Sequence, residues 1–351
     1  MRNYLPLLLV LGMVLGSRNT FSQTSSGESE WIKQTSGFED VLCDVFFIDA
    51  NTGIAVGVNG TILGTTDGGT SWVKQTSGTD AILCGAFLTD ANTGIVVGQN
   101  GVILRTKNGG KSWIKQTSGT TEFLSRVYFT DANYGTAVGG NGTVLRTKDG
   151  GIHWVKQISG TKELLWDVFF ADINNGVAVG NSSTILHTKN GGASWVKKSV
   201  GTLSALMGVY FLDTRTGFAV GSNGVLLRTL DGGETWQSQF LWSSDIVDAS
   251  GMKARFTDVC FGDSLDGFVV GSFGTFLQTT DGGANWSGKS IHVPYKLIYN
   301  LRGISITDAK TVTIARIREN EIEADIKTMP TKVVTIVGEH GVILRGIIQG
   351  R

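Results

Sequence analysis

The chain has 351 residues, 41% of them hydrophobic, and its 30 Lys and Arg balance 30 Asp and Glu. A formal charge of zero supplies no whole-molecule attraction toward nucleic acid or an anionic membrane, so no nucleic-acid partner is expected. Glycine is abundant at 49 residues and proline scarce at 3, and the glycines recur at fixed places instead of in tracts, which marks them as turn residues and not as disorder.

In chain order, Met1 and Arg2 lead into an apolar stretch from Tyr4 to Gly16 and then a polar segment ending Thr20-Phe21-Ser22-Gln23. A basic start, a short apolar core and small residues before Gln23 read as a secretory signal over residues 1–22, followed by a linker over 23–30. A membrane anchor needs roughly 20 apolar residues, more than this core offers. The expectation is an exported protein, in the periplasm or outside the cell, without direct membrane insertion.

A repeat fills the rest. Trp31, Trp72, Trp113, Trp154, Trp195 and Trp236 are 41 residues apart, and Trp286 follows after 50. The unit Ala81 to Thr120 contains four short β-prone runs, "ILCGAFLTD", "TGIVVGQNG", "GVILRT" and "SWIKQTSG", parted by tight Gly, Asn and Asp turns. Four strands in about 40 residues, repeated, is the signature of a β-propeller blade. Val-Gly-x-x-Gly begins at Val56, Val97, Val138, Val179, Val220, Val270 and Val337, with Ser183 in place of the last glycine of the fourth copy. The expected fold is therefore all-β: one seven-bladed propeller of four-stranded blades over residues 31–351.

An aspartate ends the first run of each repeat, at Asp49, Asp90, Asp131, Asp172, Asp213, Asp263 and Asp308. Recurrence at a turn predicts a side-chain-to-backbone bond, not catalysis. The run T-x-[D/N]-G-G-x-x-W resembles the Asp-box of sialidase-type repeats. It places Asp67, Asn108, Asp149, Asn190, Asp231 and Asp281 at a turn, with Trp72, Trp113, Trp154, Trp195, Trp236 and Trp286 packing across it. These twelve are structural residues. The seventh repeat stops at "VILRGIIQGR" without a fourth run, while "WIKQTSG" from Trp31 to Gly37 lacks the three before it. An N-terminal strand completing the last blade would leave no free sheet edge.

The repeat breaks at about 241–253, 287–300 and 315–332, and the first two carry Trp242, Tyr295 and Tyr299. The third, "ARIRENEIEADIKTMPTK", follows a strand-like "TVTIA" and suggests an amphipathic hairpin at Glu319-Asn320. At the start of the first strand the repeats read Cys43, Cys84, Ser125, Trp166, Met207, Thr257 and Arg302, then Asp44, Gly85, Arg126, Asp167, Gly208, Asp258 and Gly303. A ring needed only for folding could keep one residue there, so this mixed ring is the candidate binding surface, with Arg126, Trp166 and Arg302 at its mouth and Trp242, Tyr295 and Tyr299 at the rim. Arg105, Arg146, Arg228 and Arg345 precede the box turn and are expected to pair with turn aspartates. Cys43 and Cys84 sit at equivalent points of adjacent repeats, which are usually too far apart for a disulfide; the three cysteines read as small buried thiols.

With repeats, boxes and ring in view, the chain resembles the photosystem II assembly and stability factor family and its bacterial relatives with Asp-box repeats. The resemblance covers about residues 28 to 351 and is carried by phrases such as "FAVGSNGVLLRTLDGGETW" (Phe218 to Trp236). It implies an exported, non-enzymatic, seven-bladed binder that helps to assemble exported or membrane proteins. The alternative, a glycan-binding or sialidase-like propeller, needs an arginine triad, a tyrosine–glutamate pair and an acid aspartate. Six tyrosines stand in no such context, and His153, His187, His292 and His340 show no metal spacing. The expectation is no catalytic residue, no metal, no cofactor, and a monomer whose partner is an exported or membrane-associated polypeptide or a glycan.

Overall fold

In a computed structural model, residues 30–34, 37–38, 40–239, 241, 253–288, 301–307, 312–313, 331–338 and 343–349 are described. The first full repeat forms an antiparallel four-stranded blade from Leu42–Phe47, Gly53–Gly57, Ile62–Thr65 and Val73–Gln75, paired in that order. Burial peaks at the second strand and is lost at the outer one. The second strand is buried along its whole length, which accounts for its unbroken apolar run, whereas the outer strand holds Val73 65% exposed beside Lys74. A lysine on a short outer strand is one way a free sheet edge is kept from mispairing.

Blades two to six repeat this plan from first strands at Leu83–Leu88, Leu124–Phe129, Leu165–Phe170, Leu206–Phe211 and Phe256–Phe261. Four-stranded blades thus number six among the described residues, a correction to the expected seven. The remaining repeat makes a five-stranded sheet in the order Glu30–Gln34, Ile343–Gln349, Val312–Thr313, Leu301–Thr307, Thr331–Gly338. Its long second strand is Thr331–Gly338, which pairs with Leu301–Thr307 over nearly its full length; of the strand-like "TVTIA" the described residues are Val312–Thr313, and these pair with the same strand. Glu30–Gln34 pairs antiparallel with Ile343–Ile347, Trp31 opposite Gly346. Asp308, most of the insertions and residues 1–29 lie outside the described residues.

The core lies between blades. Ile54, Val56 and Ile62 of blade one pack with Leu83, Leu88, Val96 and Leu104 of blade two, and the later interfaces repeat the arrangement. Val337 and Ile343 of the five-stranded sheet join Leu42, Val45, Leu63 and Trp72 of blade one, and the Phe47 amide donates to Ser305 Oγ at 3.0 Å.

Two turns at one end of each blade explain the recurrent aspartates. Asp49 Oδ1 accepts from the amides of Asn51 and Thr52, both at 2.7 Å, and Asp90, Asp131, Asp172, Asp213 and Asp263 repeat the bond. In the T-x-[D/N]-G-G-x-x-W turn, Thr65 donates to Asp67 Oδ1 and accepts from the Gly69 amide, while Asp67 Oδ1 accepts from Ser71. Gly68 and Gly69 need φ of 71° and 84°, a region costly for any side chain. The two turns touch through Gly68 N donating to Asn51 O, so both lie on one face of the ring.

Each turn tryptophan then meets a first-strand phenylalanine edge-on, as Trp154 does Phe129 at 6.1 Å. Blade two departs: Leu88 stands where the others have phenylalanine, and Trp113 donates to Gln75 Oε1 at 2.9 Å instead. Among the described residues the arginines before the turn make no direct ion pair with turn aspartates, although the charge of Asp149 acts on Arg105 and that of Asp131 on Arg146. Arg105 Nε donates to the Gly150 carbonyl at 2.6 Å, one blade on, and Arg146 donates to Thr136 Oγ1; the side chain of Arg345 is outside the described set.

Burial works against the Asp149 carboxylate, but bonds from the His153 amide and ring, Thr147 and the Ile152 amide outweigh it and hold its pKa down to about 2. A carboxylate depressed from about 3.9 contributes stability that is complete above pH ~4 and is lost as pH falls toward 2. Asp149→Ala is expected to lower stability at pH 7 by about 1 kcal/mol, the scale of a net hydrogen bond. Thermal melts from pH 7 to 2 should show the gap to wild type closing below pH 4; a constant gap would count against this origin.

Candidate functional site

The other end of the ring is built by a defect that every blade shares. Pairing steps from Leu42↔Gly57 to Asp44↔Val56, so Cys43 has no partner in the ladder. The same bulge leaves out Cys84, Ser125, Trp166, Met207, Thr257 and Arg302. A bulge bends the strand and re-aims its extra side chain. Here it follows from the closeness of the preceding connection: a Cβ on Gly57 would sit 2.1 Å from the Val41 carbonyl, which takes the Val58 amide at 3.0 Å.

One residue further along, the innermost strands converge on the axis and the space runs out. A Cβ on Gly85 would lie 2.9 Å from Arg126 Cα, and one on Gly208 would lie 3.0 Å from Asp258 Cα. The ring therefore sets a glycine after each acid: Asp44, Gly85, Arg126, Asp167, Gly208, Asp258, Gly303. Arg126 fills the centre. Its Nε donates to Asp167 Oδ1 at 2.9 Å, its NH2 to Asp258 Oδ2 at 3.0 Å and its NH1 to Asp44 Oδ1, so one side chain spans to blades one, four and six.

Each carboxylate also stitches its blade to the next. Asp44 accepts from the Ala86 amide at 2.9 Å, Asp167 from Val209 at 2.8 Å, and Asp258 from Ile304 at 3.1 Å. The glycines at 85, 208 and 303 are what lets the next strand come this near. Ser125 joins the same pattern by donating to the Leu165 carbonyl at 2.6 Å.

Burial pushes the Asp258 carboxyl up to about 7; Arg126 opposes the shift, while the Asp167 and Asp44 carboxylates add to it. Burial raises Asp44 as well. Arg126 is itself penalised by burial, yet its three acidic neighbours hold it well above its ordinary value. Truncating Arg126 would strand three buried carboxylates, a loss on the order of 3–5 kcal/mol.

Above this plug the bulge residues form the mouth. Trp166 is half-buried, its indole N–H donating to Asn181 Oδ1 at 2.8 Å and its ring edge-on to Phe123 at 6.5 Å. Arg255 Nε points at Met207 Sδ at 2.8 Å, and Arg302 is exposed, near enough to Arg255 for the two positive charges to interact. Cys43 and Cys84 occupy the same bulge on the innermost strands of blades one and two, which the Asp44–Ala86 bond joins one residue further on, and each perturbs the other's thiol. The expected wide separation of equivalent cysteines is thus corrected, because first strands meet at the axis and not at the circumference.

Of the sequence-predicted site, Trp166 and Arg302 stand at the mouth, Arg126 lies one layer below with its nitrogens engaged, and Trp242, Tyr295 and Tyr299 fall outside the described residues. Arg255 and Phe123 were not singled out. They occupy the position just before the ring, where the repeats read Val41, Ile82, Phe123, Leu164, Ala205, Arg255, a second variable column that aligning the repeats would expose. Among the described residues no group of three His, Cys, Asp or Glu could hold a metal ion.

A family model described as photosynthesis system II assembly factor YCF48 matches residues 21–121, 116–198 and 242–316. Among solved structures, "YCF48 bound to D1 peptide" is 20% identical with TM-score 0.69 over 93% of this chain and 97% of that one. YCF48 from Cyanidioschyzon merolae is 20% identical with TM-score 0.65 over 90% and 98%. An ancestral GH74 enzyme is 14% identical with TM-score 0.63 over 88% of this chain but 45% of its own. At these identities the likeness shows the propeller fold alone. No curated protein sequence matches.

The buried plug has a pH signature of its own. Asp258 is raised in the folded state from an unfolded value near 3.9, so between about pH 4 and 7 the folded chain holds a proton that the unfolded chain releases. Acidification through that window therefore adds stability from this group. In Asp258→Asn the added stability should be missing, seen as a shallower rise in urea midpoint from pH 7 to pH 4.5 than in wild type. Parallel profiles would refute the assignment.

Proposed function

This chain belongs to the photosynthesis system II assembly factor YCF48 family, and we propose that it is a non-enzymatic polypeptide-binding propeller that assists the assembly of exported or membrane proteins. The observation that carries the reading is the contrast between the ring's two faces. The face with the box turns repeats one set of bonds six times, whereas the opposite mouth sets a different side chain on each of its bulges apart from the two cysteines. Trp166, Phe123 and Met207 offer apolar surface there, and Arg255 and Arg302 offer positive charge. That combination suits an extended polypeptide bearing an acidic group beside apolar side chains.

One protein of this fold is described as bound to a D1 peptide, which supports a polypeptide as the ligand class. We read the pairing of Glu30–Gln34 with the five-stranded sheet as closing the ring; a closed ring presents its mouth without an ordering cost on binding. Residues 1–22 fit export to the periplasm or beyond. A binder is favoured over a hydrolase because the three carboxylates nearest the mouth, Asp44, Asp167 and Asp258, are tied to Arg126 and to backbone amides, which leaves no free acid–base pair among them. A glycan ligand is the second reading, carried by the Trp166 indole at the mouth.

Capture of partners from a membrane extract on the immobilised full chain, followed by affinity measurement, tests this. Trp166→Ala should weaken the captured polypeptide about 30-fold, the hot-spot scale of roughly 2 kcal/mol, with little change in melting. Arg255→Glu with Arg302→Glu should abolish capture. Unchanged affinity in both variants would move the site away from this mouth, and retention of an oligosaccharide in place of a polypeptide would favour the second reading.

A further inference from the structure

We propose that Cys43 and Cys84 form a redox-sensitive dithiol at the mouth of the ring, which closes to a disulfide between blades one and two on reaction with a disulfide-bearing oxidant. The inference does not depend on the proposed partner. It starts from position. Both cysteines are bulge residues on innermost strands of adjacent blades, and both are half-buried and reduced.

The strands that carry them are held together one residue further on, where Asp44 accepts from the Ala86 amide at 2.9 Å. Close approach of the two backbones is what a disulfide requires, since its Cα atoms must come within about 7 Å. Being left out of the ladder, each bulge residue can adjust its side-chain torsion to the S–S geometry without breaking a strand pair.

The pair is chemically unequal. The neighbouring Cys84 lowers the Cys43 thiol, burial opposes this, the positive charge of Arg302 lowers it further and the Asp44 carboxylate raises it, with a net lowering. Cys84 is raised by Cys43, by burial and by the Asp44 carboxylate. Cys43 is thus the attacking group. Its thiolate attacks one sulfur of the oxidant, forming a mixed disulfide and expelling one thiolate; the Cys84 thiolate then attacks the Cys43 sulfur and expels the second. In sum the protein's two thiols lose two protons and two electrons, and the oxidant's disulfide is reduced to two thiols.

The third cysteine is a built-in control. Cys260 is 7% exposed within blade six, with its thiol pushed well above the ordinary value by burial, so it should not react. Closing Cys43 to Cys84 would cross-link a loop of 41 residues, long enough for a measurable gain in stability. It would also stiffen the part of the mouth next to Arg302.

The test is incubation of the intact chain with oxidised glutathione, read by thiol titration, intact mass and peptide mapping. Expected are a fall from three to one in the thiols titrated after unfolding, a loss of about two mass units, a linked peptide pair holding Cys43 and Cys84, and a melting temperature raised by several degrees, all reversed by dithiothreitol. In Cys84→Ser the reaction should stop at glutathione attached to Cys43. Three thiols that stay free, or a wild-type chain that stops at mixed disulfides, would overturn the proposal whatever the variant does.

Discussion

Arg126 and the three carboxylates it holds constrain everything around them. A propeller converges on its axis, and the innermost strands approach until backbone nearly meets side chain, with a Cβ on Gly85 only 2.9 Å from Arg126 Cα. Seven equal side chains cannot share that space. The chain resolves the crowding by breaking its own symmetry, placing one large cation, three acids that reach across the neighbouring strand, and glycine wherever an acid must pass. The charges are buried, so each is tolerable only while its partners remain. Asp44 and Asp167 each give one oxygen to Arg126 and the other to the amide of the next blade, and Asp258 Oδ2 takes both, which makes the plug a register device as well as an ion network.

From that plug the two faces diverge. Toward the box turns, the blade closes on local bonds that need only Thr, Asp or Asn, two glycines and a tryptophan, and repetition serves because each turn folds against its own blade. Toward the mouth, the shared bulge frees one residue per blade from the ladder. A side chain there is not needed for pairing and can differ from blade to blade, which is the physical reason that Trp166, Met207, Arg302 and the two thiols can occupy equivalent places. Binding and redox chemistry are proposed where the fold leaves residues spare, above a floor that is fully bonded.

The repeat was legible in the sequence because its turns depend on residue types, glycine at positive φ and Asp or Asn as an acceptor, that nothing else replaces. What stayed hidden depends on depth. A bulge is marked by no residue type, so Arg126 and Trp166 read alike as mouth residues, although one step along the strand turns the first into the plug. Cys43 and Cys84 looked remote because equivalent points were judged by blade spacing, which holds at the rim and fails at the axis. In the last repeat "TVTIA" and Thr331–Gly338 are equally strand-like, and only pairing with Leu301–Thr307 shows which becomes the long strand. Trp113 could have been read: Leu88 replaces the phenylalanine of the other five four-stranded blades, and the tryptophan's changed partner follows.

The central claim is that the face opposite the box turns receives the partner. Hydrogen–deuterium exchange of the chain with and without its captured polypeptide addresses it directly. The account predicts slowed exchange in the connections that enter the mouth, around residues 79–82, 120–123, 161–164 and 202–205, with the box turns at 67–71, 108–112 and 149–153 unchanged. Protection of the box turns with an unaffected mouth would contradict it.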